Sequence, residues 1–263
     1  MLRYDVEALN TATASNNRIH DDEVAKAYGF GGGLVPGVDV YAYLVHLPAE
    51  QWGVEWLQGG SMSAQFERPV YDGELLSITS SDDPASGRLE LTLEGPDGEG
   101  RATGVASAVA EDPASGRQVP EHRARPESPP PADAEALAPG TLLGSVTATF
   151  DAGVAPEYLS AIREPLALYQ LEQVAHPGWL LRFANTVLVA NVRLGPWIHV
   201  SSDVTFGGAV HDGDVLDVRA VVRDEYERSG HRFVVLDVAM VDADDGSVVQ
   251  HVEHRAIHTP RKP

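Results

Sequence analysis

The chain of 263 residues has no cysteine, only 19 lysines and arginines against 39 acidic residues, and no apolar run near the ~20 residues that a membrane-spanning helix needs. Each shortage excludes something. Without cysteine there is no disulfide framework, thiolate nucleophile or thiolate metal site. A net charge of −20 and a pI near 4.7 repel phosphate backbones and anionic lipid headgroups, so neither nucleic acid nor a membrane is expected as a partner. The acidity reads as a solubility device. The opening MLRYDVEALN has neither a basic region nor an apolar core, so no signal peptide is expected and the cytoplasm is the default location. Hydrophobic residues at 43% and charged residues at 22% are a globular composition that can fill two cores.

The chain does contain an internal repeat. Residues 64–78, AQFERPVYDGELLSI, align with residues 204–218, VTFGGAVHDGDVLDV, at an offset of 140. Phe66 and Phe206, Val70 and Val210, and the pairs Asp72-Gly73 and Asp212-Gly213 all coincide. Upstream, Pro36-Gly37 and Pro177-Gly178 each open an apolar stretch. Downstream, Asp97-Gly98 and Asp245-Gly246 each separate two strand-like runs.

Both repeats follow one order. Proline and glycine suit a first helical turn, and the apolar residues of 38–47 and 179–192 lie nearly all round, so two buried helices are expected. Alternating, β-branched segments predict strands over 60–68, 74–80, 89–94 and 102–110, and over 198–206, 215–222, 232–241 and 248–258. A short first strand precedes each set, and the Asp-Gly pairs are read as hairpin signals. The fold class expected is α+β: two antiparallel sheets, each curled around one helix, with residues 1–110 as the first repeat and 142–263 as the second. Residues 111–141, rich in Pro, Ala, Ser and charge, are expected as an extended surface linker. It leaves two strand edges free to pair into one continuous sheet.

The chemistry-bearing segment is residues 11–37, TATASNNRIHDDEVAKAYGFGGGLVPG. Its stretch from Ser15 to Asp22 resembles the signature D-x-N-P-[LIV]-H-x-D of the MaoC-like, (R)-specific enoyl-CoA hydratases, with Asn17, Ile19, His20 and Asp22 matching. Ser15 stands where the signature has its aspartate, and Arg18 where it has proline. The resemblance implies a double hot-dog fold over nearly the whole chain, an acyl-CoA or acyl-carrier thioester as partner, no cofactor, and a homodimer of double hot-dogs. It also implies hydration or dehydration by an aspartate–histidine pair. His20, Asn17 and Ser15 are therefore the candidate catalytic positions. Gly37, Arg18 and Gly33 are the candidate substrate-binding ones, with Gly37 offering a helix-start amide to the thioester carbonyl.

Plainer readings stand beside these. His20 could merely flank a helix that Asp21-Asp22 caps, Asn17 could be a turn residue, and Gly31–Gly33 could only shape a loop. Asp21, Asp22 or Asp39 could replace the missing carboxylate in space. A dehydratase acting on carrier-protein substrates would need glutamate where Ala42 stands. His251, His254 and His258 lie on one strand, with His251 on the opposite face from the other two, so no metal site is expected. His176, His199 and His211 read as structural. Two alternatives to a hydratase remain open: a non-catalytic acyl-CoA-binding protein or structural partner of a hydratase, and a hot-dog thioesterase in which a carboxylate such as Asp39 activates water.

Overall fold

The computed structural model describes residues 1–81, 84–114 and 118–262; residues 115–117 of the expected linker lie outside the described residues. The first half runs β1 (Leu2–Glu7), a 3-10 turn (Arg18–His20), α1 (Asp22–Ala27), α2 (Gly37–Gly59), β2 (Ser61–Phe66), β3 (Leu75–Ser80), β4 (Arg88–Glu94) and β5 (Gly100–Ser107). The second runs β6 (Leu142–Thr149), α3 (Ala155–Ala161), α4 (Leu168–Leu171), α5 (Pro177–Asn191), β7 (Ile198–Phe206), β8 (Val215–Arg228), β9 (His231–Asp242) and β10 (Val248–Thr259).

All ten strands form a single antiparallel sheet in the order β1-β3-β4-β5-β2-β7-β10-β9-β8-β6. The order is the same read outward from the centre in either direction. The seam is the β2–β7 pair, in which Ser63 faces Asp203. Those positions are 140 apart, the repeat offset of the sequence, so the pseudo-twofold axis passes through that pair. Helices α2 and α5 pack against the sheet and each other, and one core cluster runs through both halves.

The expected strands and buried helices are present, with β8 running on to Arg228 and the short helices α3 and α4 added, and three further details differ. Helix α2 does not stop before Pro48. It continues to a break at Gly53, where φ is 64°, and on to Gly59, because Ala49, Trp56 and Leu57 keep burying apolar surface after the proline. The Asp72-Gly73 and Asp212-Gly213 pairs do not close hairpins, since β2 and β3 are not neighbours and neither are β7 and β8. They tie down the chain leaving the first strand of each half instead. Asp72 Oδ1 accepts from Asn10 N at 2.8 Å while Gly73 N donates to Ala8 O. Asp212 Oδ1 accepts from Ala152 N at 2.8 Å while Gly213 N donates to Phe150 O. Finally, the segment between the halves is pinned rather than loosely laid: Leu137 is fully buried, and residues 130 and 132 bond the backbone of Arg193.

Trp56 links the halves through the core. It is 1% exposed, donates from Nε1 to Ser107 O at 3.0 Å, and meets the Phe206 ring edge-on at 4.9 Å. Trp56→Ala is expected to lower stability by about 3–5 kcal/mol. Urea unfolding should show one transition at a lower midpoint, and two separated transitions would show that the halves do not fold as one unit.

Candidate functional site

The site is built where the loop preceding α2 meets the second half. Asn17 does three things there. Its Oδ1 caps the 3-10 turn by accepting from Ile19 N at 3.3 Å and also accepts from Trp197 N at 3.1 Å. Its Nδ2 donates to Trp197 O at 2.9 Å. The side chain thus clamps the backbone just before β7 to the turn that carries His20. A turn residue alone would need only the first of these bonds.

His20 follows on that turn. Its Nδ1 lies 2.7 Å from Leu34 O, a contact only an N–H can make, so Nδ1 donates and the neutral ring keeps its lone pair on Nε2. Nε2 stands 3.3 Å from Asn17 Nδ2. Burial pushes the His20 pKa below the ordinary imidazole value, against the opposing pull of the Leu34 carbonyl and the charge of Asp39. The ring is therefore a neutral base at pH 7. Its backbone is held as firmly: Asn10 Nδ2 donates to His20 O at 3.0 Å, and a Cβ on Gly33 would come within 2.2 Å of that oxygen.

His20 lines an apolar cavity of about 490 Å³, with Ile19, Phe30, Leu34, Val35, Val40, Phe66, Val70, Ile198 and Phe233 among its walls and Gly37 at the start of α2. That volume falls in the range of small-molecule sites. On its other side His20 opens to a groove of about 750 Å³ shared with Ser15, Arg182, Asn185 and Arg193. Gly37 has no intrahelical partner for its amide, which lies in the first turn. The reason for glycine is spatial rather than conformational: a Cβ would lie 2.8 Å from His199 Nδ1.

The remaining candidates fall in different places. Ser15 is exposed in the groove, its Oγ accepting from Asn17 N at 3.1 Å. Gly33 lies outside the apolar cavity, in a polar recess with Asp21, Asp22 and Tyr71, and donates to Asp22 Oδ1 at 2.7 Å. Arg18 is absent from the walls of both cavity and groove. Its side chain is 60% exposed and pairs with Asp21 at 3.3 Å, because the turn that buries Ile19 points the preceding side chain outward. The alternative carboxylates are committed elsewhere. Asp21 caps α1 through Val24 N, and Asp22 holds the glycine loop. Asp39, fully buried, accepts from Thr11 Oγ1 at 2.5 Å and pairs with Arg182 Nη2 at 2.7 Å. Among the residues lining the cavity the one carboxylate is Glu67, which is exposed.

One wall was not legible in the sequence. His199 lines the cavity from β7, 7% exposed, with its ring edge-on to Phe66 at 4.7 Å. Its Nε2 is 2.8 Å from Ser202 Oγ, which is 3.0 Å from His254 Nδ1. Burial, and then the neighbouring His254, hold His199 well below the usual imidazole range; burial lowers His254 to about 3. The other histidines of that strand have separate partners, His251 with Asp237 and His258 with Glu225. Among the described residues no group of three or more His, Asp or Glu side chains is placed to hold a metal ion, and no helix is long and apolar enough to cross a membrane.

This architecture, two helix-wrapping sheets fused edge to edge in one chain, is the double hot-dog fold. A conserved Mycobacterium tuberculosis protein described as a double hot-dog superposes with a TM-score of 0.62 at 14% identity, covering 97% of this chain and 95% of its own. A protein from Chloroflexus aurantiacus, provisionally assigned as a MaoC domain dehydratase, gives 0.62 at 11% identity over 98% and 93%. A Lactobacillus plantarum protein, provisionally assigned as an oleoyl thioesterase, gives 0.57 at 11% identity over 99% and 96%. No family model and no curated protein sequence matches this chain.

Two imidazoles buried neutral make folding sensitive to mild acid. Above about pH 6.5 they are neutral in both states; below it the unfolded chain takes up protons that the folded His199 and His254 refuse. Stability should therefore fall as pH drops from 6.5 towards 5, by up to about 1.4 kcal/mol per pH unit for each histidine. Urea midpoints at pH 7.5, 6.5 and 5.5 test this, and His254→Asn should flatten the slope. A flat profile in the unmodified chain would refute the burial of these rings.

Proposed function

We propose that this protein acts on acyl thioesters carried by coenzyme A or a carrier protein, adding water to an enoyl thioester or removing it from the hydroxyacyl form. The observation that carries this is the neutral His20, fixed by Leu34 O with its lone pair on Nε2, on one wall of an apolar cavity that also contains the helix-start amide of Gly37. In hydration, Nε2 exchanges its long 3.3 Å bond from Asn17 Nδ2 for one from water and takes that proton as the water oxygen bonds to the β-carbon. The electron pair of the double bond moves onto the thioester oxygen, beside the Gly37 amide. His20 then returns a proton to the α-carbon and ends neutral, so the one base serves both steps. The fold shared with proteins described as MaoC-like dehydratases supports this reading.

Ser15 favours a second reading, in which the cavity binds acyl thioesters without turning them over. Where the resembled signature has a carboxylate, this chain has a hydroxyl, and among the described residues none of the hydrogen bonds of the His20 ring is to a carboxylate. Hydrolysis has less support despite the thioesterase-like neighbours, since Asp39 is buried in its pair with Arg182.

Hydration of trans-2-enoyl-CoA, followed as loss of the conjugated absorbance, separates the readings. The unmodified chain should turn over slowly, because losing one positioned acid–base group costs about 10²–10⁴ in rate. Ser15→Asp should raise the rate, since the carboxylate keeps the bond from Asn17 N and faces the same groove as His20. His20→Ala should abolish turnover in both backgrounds. Calorimetry across several acyl lengths completes the test: binding with no turnover in any variant favours the binding reading, and no binding at any length removes both.

A further inference from the structure

Three histidines line the cavity, His20 from the first half and His199 and His231 from the second, and only His20 belongs to the motif segment. His199 reaches the cavity because β7 is irregular at that point. Along the β7–β10 ladder Ser201 faces Arg255 and His199 faces Ala256, so Val200 is an extra residue on β7. Strict alternation would put His199 and Ser202 on opposite faces of the sheet. The bulge cancels that alternation and brings both side chains together, 2.8 Å apart.

The outcome is a ring with one nitrogen engaged and the other free. Nε2 is bonded to Ser202 and the Ser201 backbone also acts on the ring, while Nδ1 is buried and has no partner within hydrogen-bond geometry among the described residues. Buried imidazole nitrogens are normally paired; His176 Nε2 and His254 Nε2 are also buried without a partner, but neither residue lines the cavity. The free atom packs on Gly37, the first residue of α2, 2.8 Å from where a Cβ would stand. Ser202 can donate its hydroxyl proton to His199 Nε2 while accepting from His254 Nδ1, and in that arrangement the proton of the neutral His199 ring is on Nδ1.

We propose that His199 Nδ1–H and the Gly37 amide together form the site for the thioester carbonyl oxygen, one donor from each half of the chain. This rests on the acyl-thioester reading and extends it: a neutral imidazole donates to the oxygen as negative charge develops there, without giving up its proton. Ser202 is then a positioning residue, acting through the tautomer of His199. Glycine at position 37 follows from the same arrangement, since any side chain there would displace the ring.

The test reads carbonyl polarisation separately from turnover. Crotonyl-CoA, or the longer enoyl-CoA that binds in the calorimetric series, is labelled with carbon-13 at the thioester carbonyl, and its stretching frequency is measured free and bound to the full chain. Binding to the unmodified chain should lower the frequency, and His20→Ala should keep that shift while losing turnover. His199→Leu should lose most of the shift and lower kcat by about 10²–10³ with KM changed only a few-fold. His199→Asn, whose amide nitrogen can stand near the Nδ1 position, should recover part of both; His199→Gln, which places it farther out, should not. Gly37→Ala should lose the shift from the other side of the contact. If the ligand binds unmodified protein without a shift, or His199→Leu keeps the full shift and rate, His199 is a packing residue and this proposal falls alone. If the leucine variant does not fold, equal shifts in His199→Asn and His199→Gln overturn it as well. If no enoyl-CoA binds the unmodified chain, the acyl-thioester reading fails and takes this proposal with it.

Discussion

The pairing of β2 with β7 is the constraint on which the rest of the molecule depends. It turns two five-stranded sheets into one and fixes the pseudo-twofold axis at the Ser63–Asp203 pair. It also sets Trp56 of one half against Phe206 of the other. Because strand register is specified wherever one face is buried, this pairing also fixes what lies at the far end of β7. Ile198 and His199 arrive beside α2, and Trp197 arrives where Asn17 can hold its backbone by both amide groups. The cavity is a consequence of the seam, and neither half encloses it alone.

Much of this fold could be read from the sequence because the signals that encode it are local and occur twice. The offset of 140 carried the duplication, and Pro36-Gly37 and Pro177-Gly178 marked the starts of α2 and α5 to within a residue or two. The meaning of Asp72-Gly73 could not be read in the same way. An Asp-Gly turn fits a hairpin as well as a tie to the chain just past a distant upstream strand, and only the partner of Gly73 N, Ala8 O, distinguishes them. The helix beyond Pro48 was hidden for a related reason: proline penalises a helix locally, while the burial that overrides it comes from tertiary contacts.

The candidate site divides along the same line. His20, Asn17 and Gly37 lie within one contiguous segment, so a motif could bring them together. The direction of Arg18 could not be inferred, because one residue of rotation in a 3-10 turn separates the buried Ile19 from an exposed neighbour. The commitment of Asp39 to Arg182 spans 143 residues and has no local signal. His199 was the hardest to see. Alternation, the rule that reads strands so well, assigns it to the wrong face, and a bulge of one residue leaves no mark in the composition of β7.

The two helix starts show why a duplicated fold need not have two sites. At Gly178 the space a Cβ would occupy is bounded by Tyr158 OH at 2.6 Å and Ala42 Cβ at 2.7 Å, so the helices pack there instead of leaving room for a ligand. The N-cap of that helix is His176, whose Nδ1 accepts from Gly178 N at 2.9 Å. The amide that would answer to Gly37 is thus already bonded. Close by, Glu164 is buried, and the bond to His46 Nδ1 at 3.0 Å with His176 Nε2 standing 3.9 Å away outweighs that burial to hold its pKa at about 2. Arg182 lies over the Tyr158 ring and reaches across to Asp39. The second half has bonded the amide of its own helix start and filled the space in front of it. What it still offers the first is a wall, and the buried His199 Nδ1 in that wall lies against the helix start that remains open.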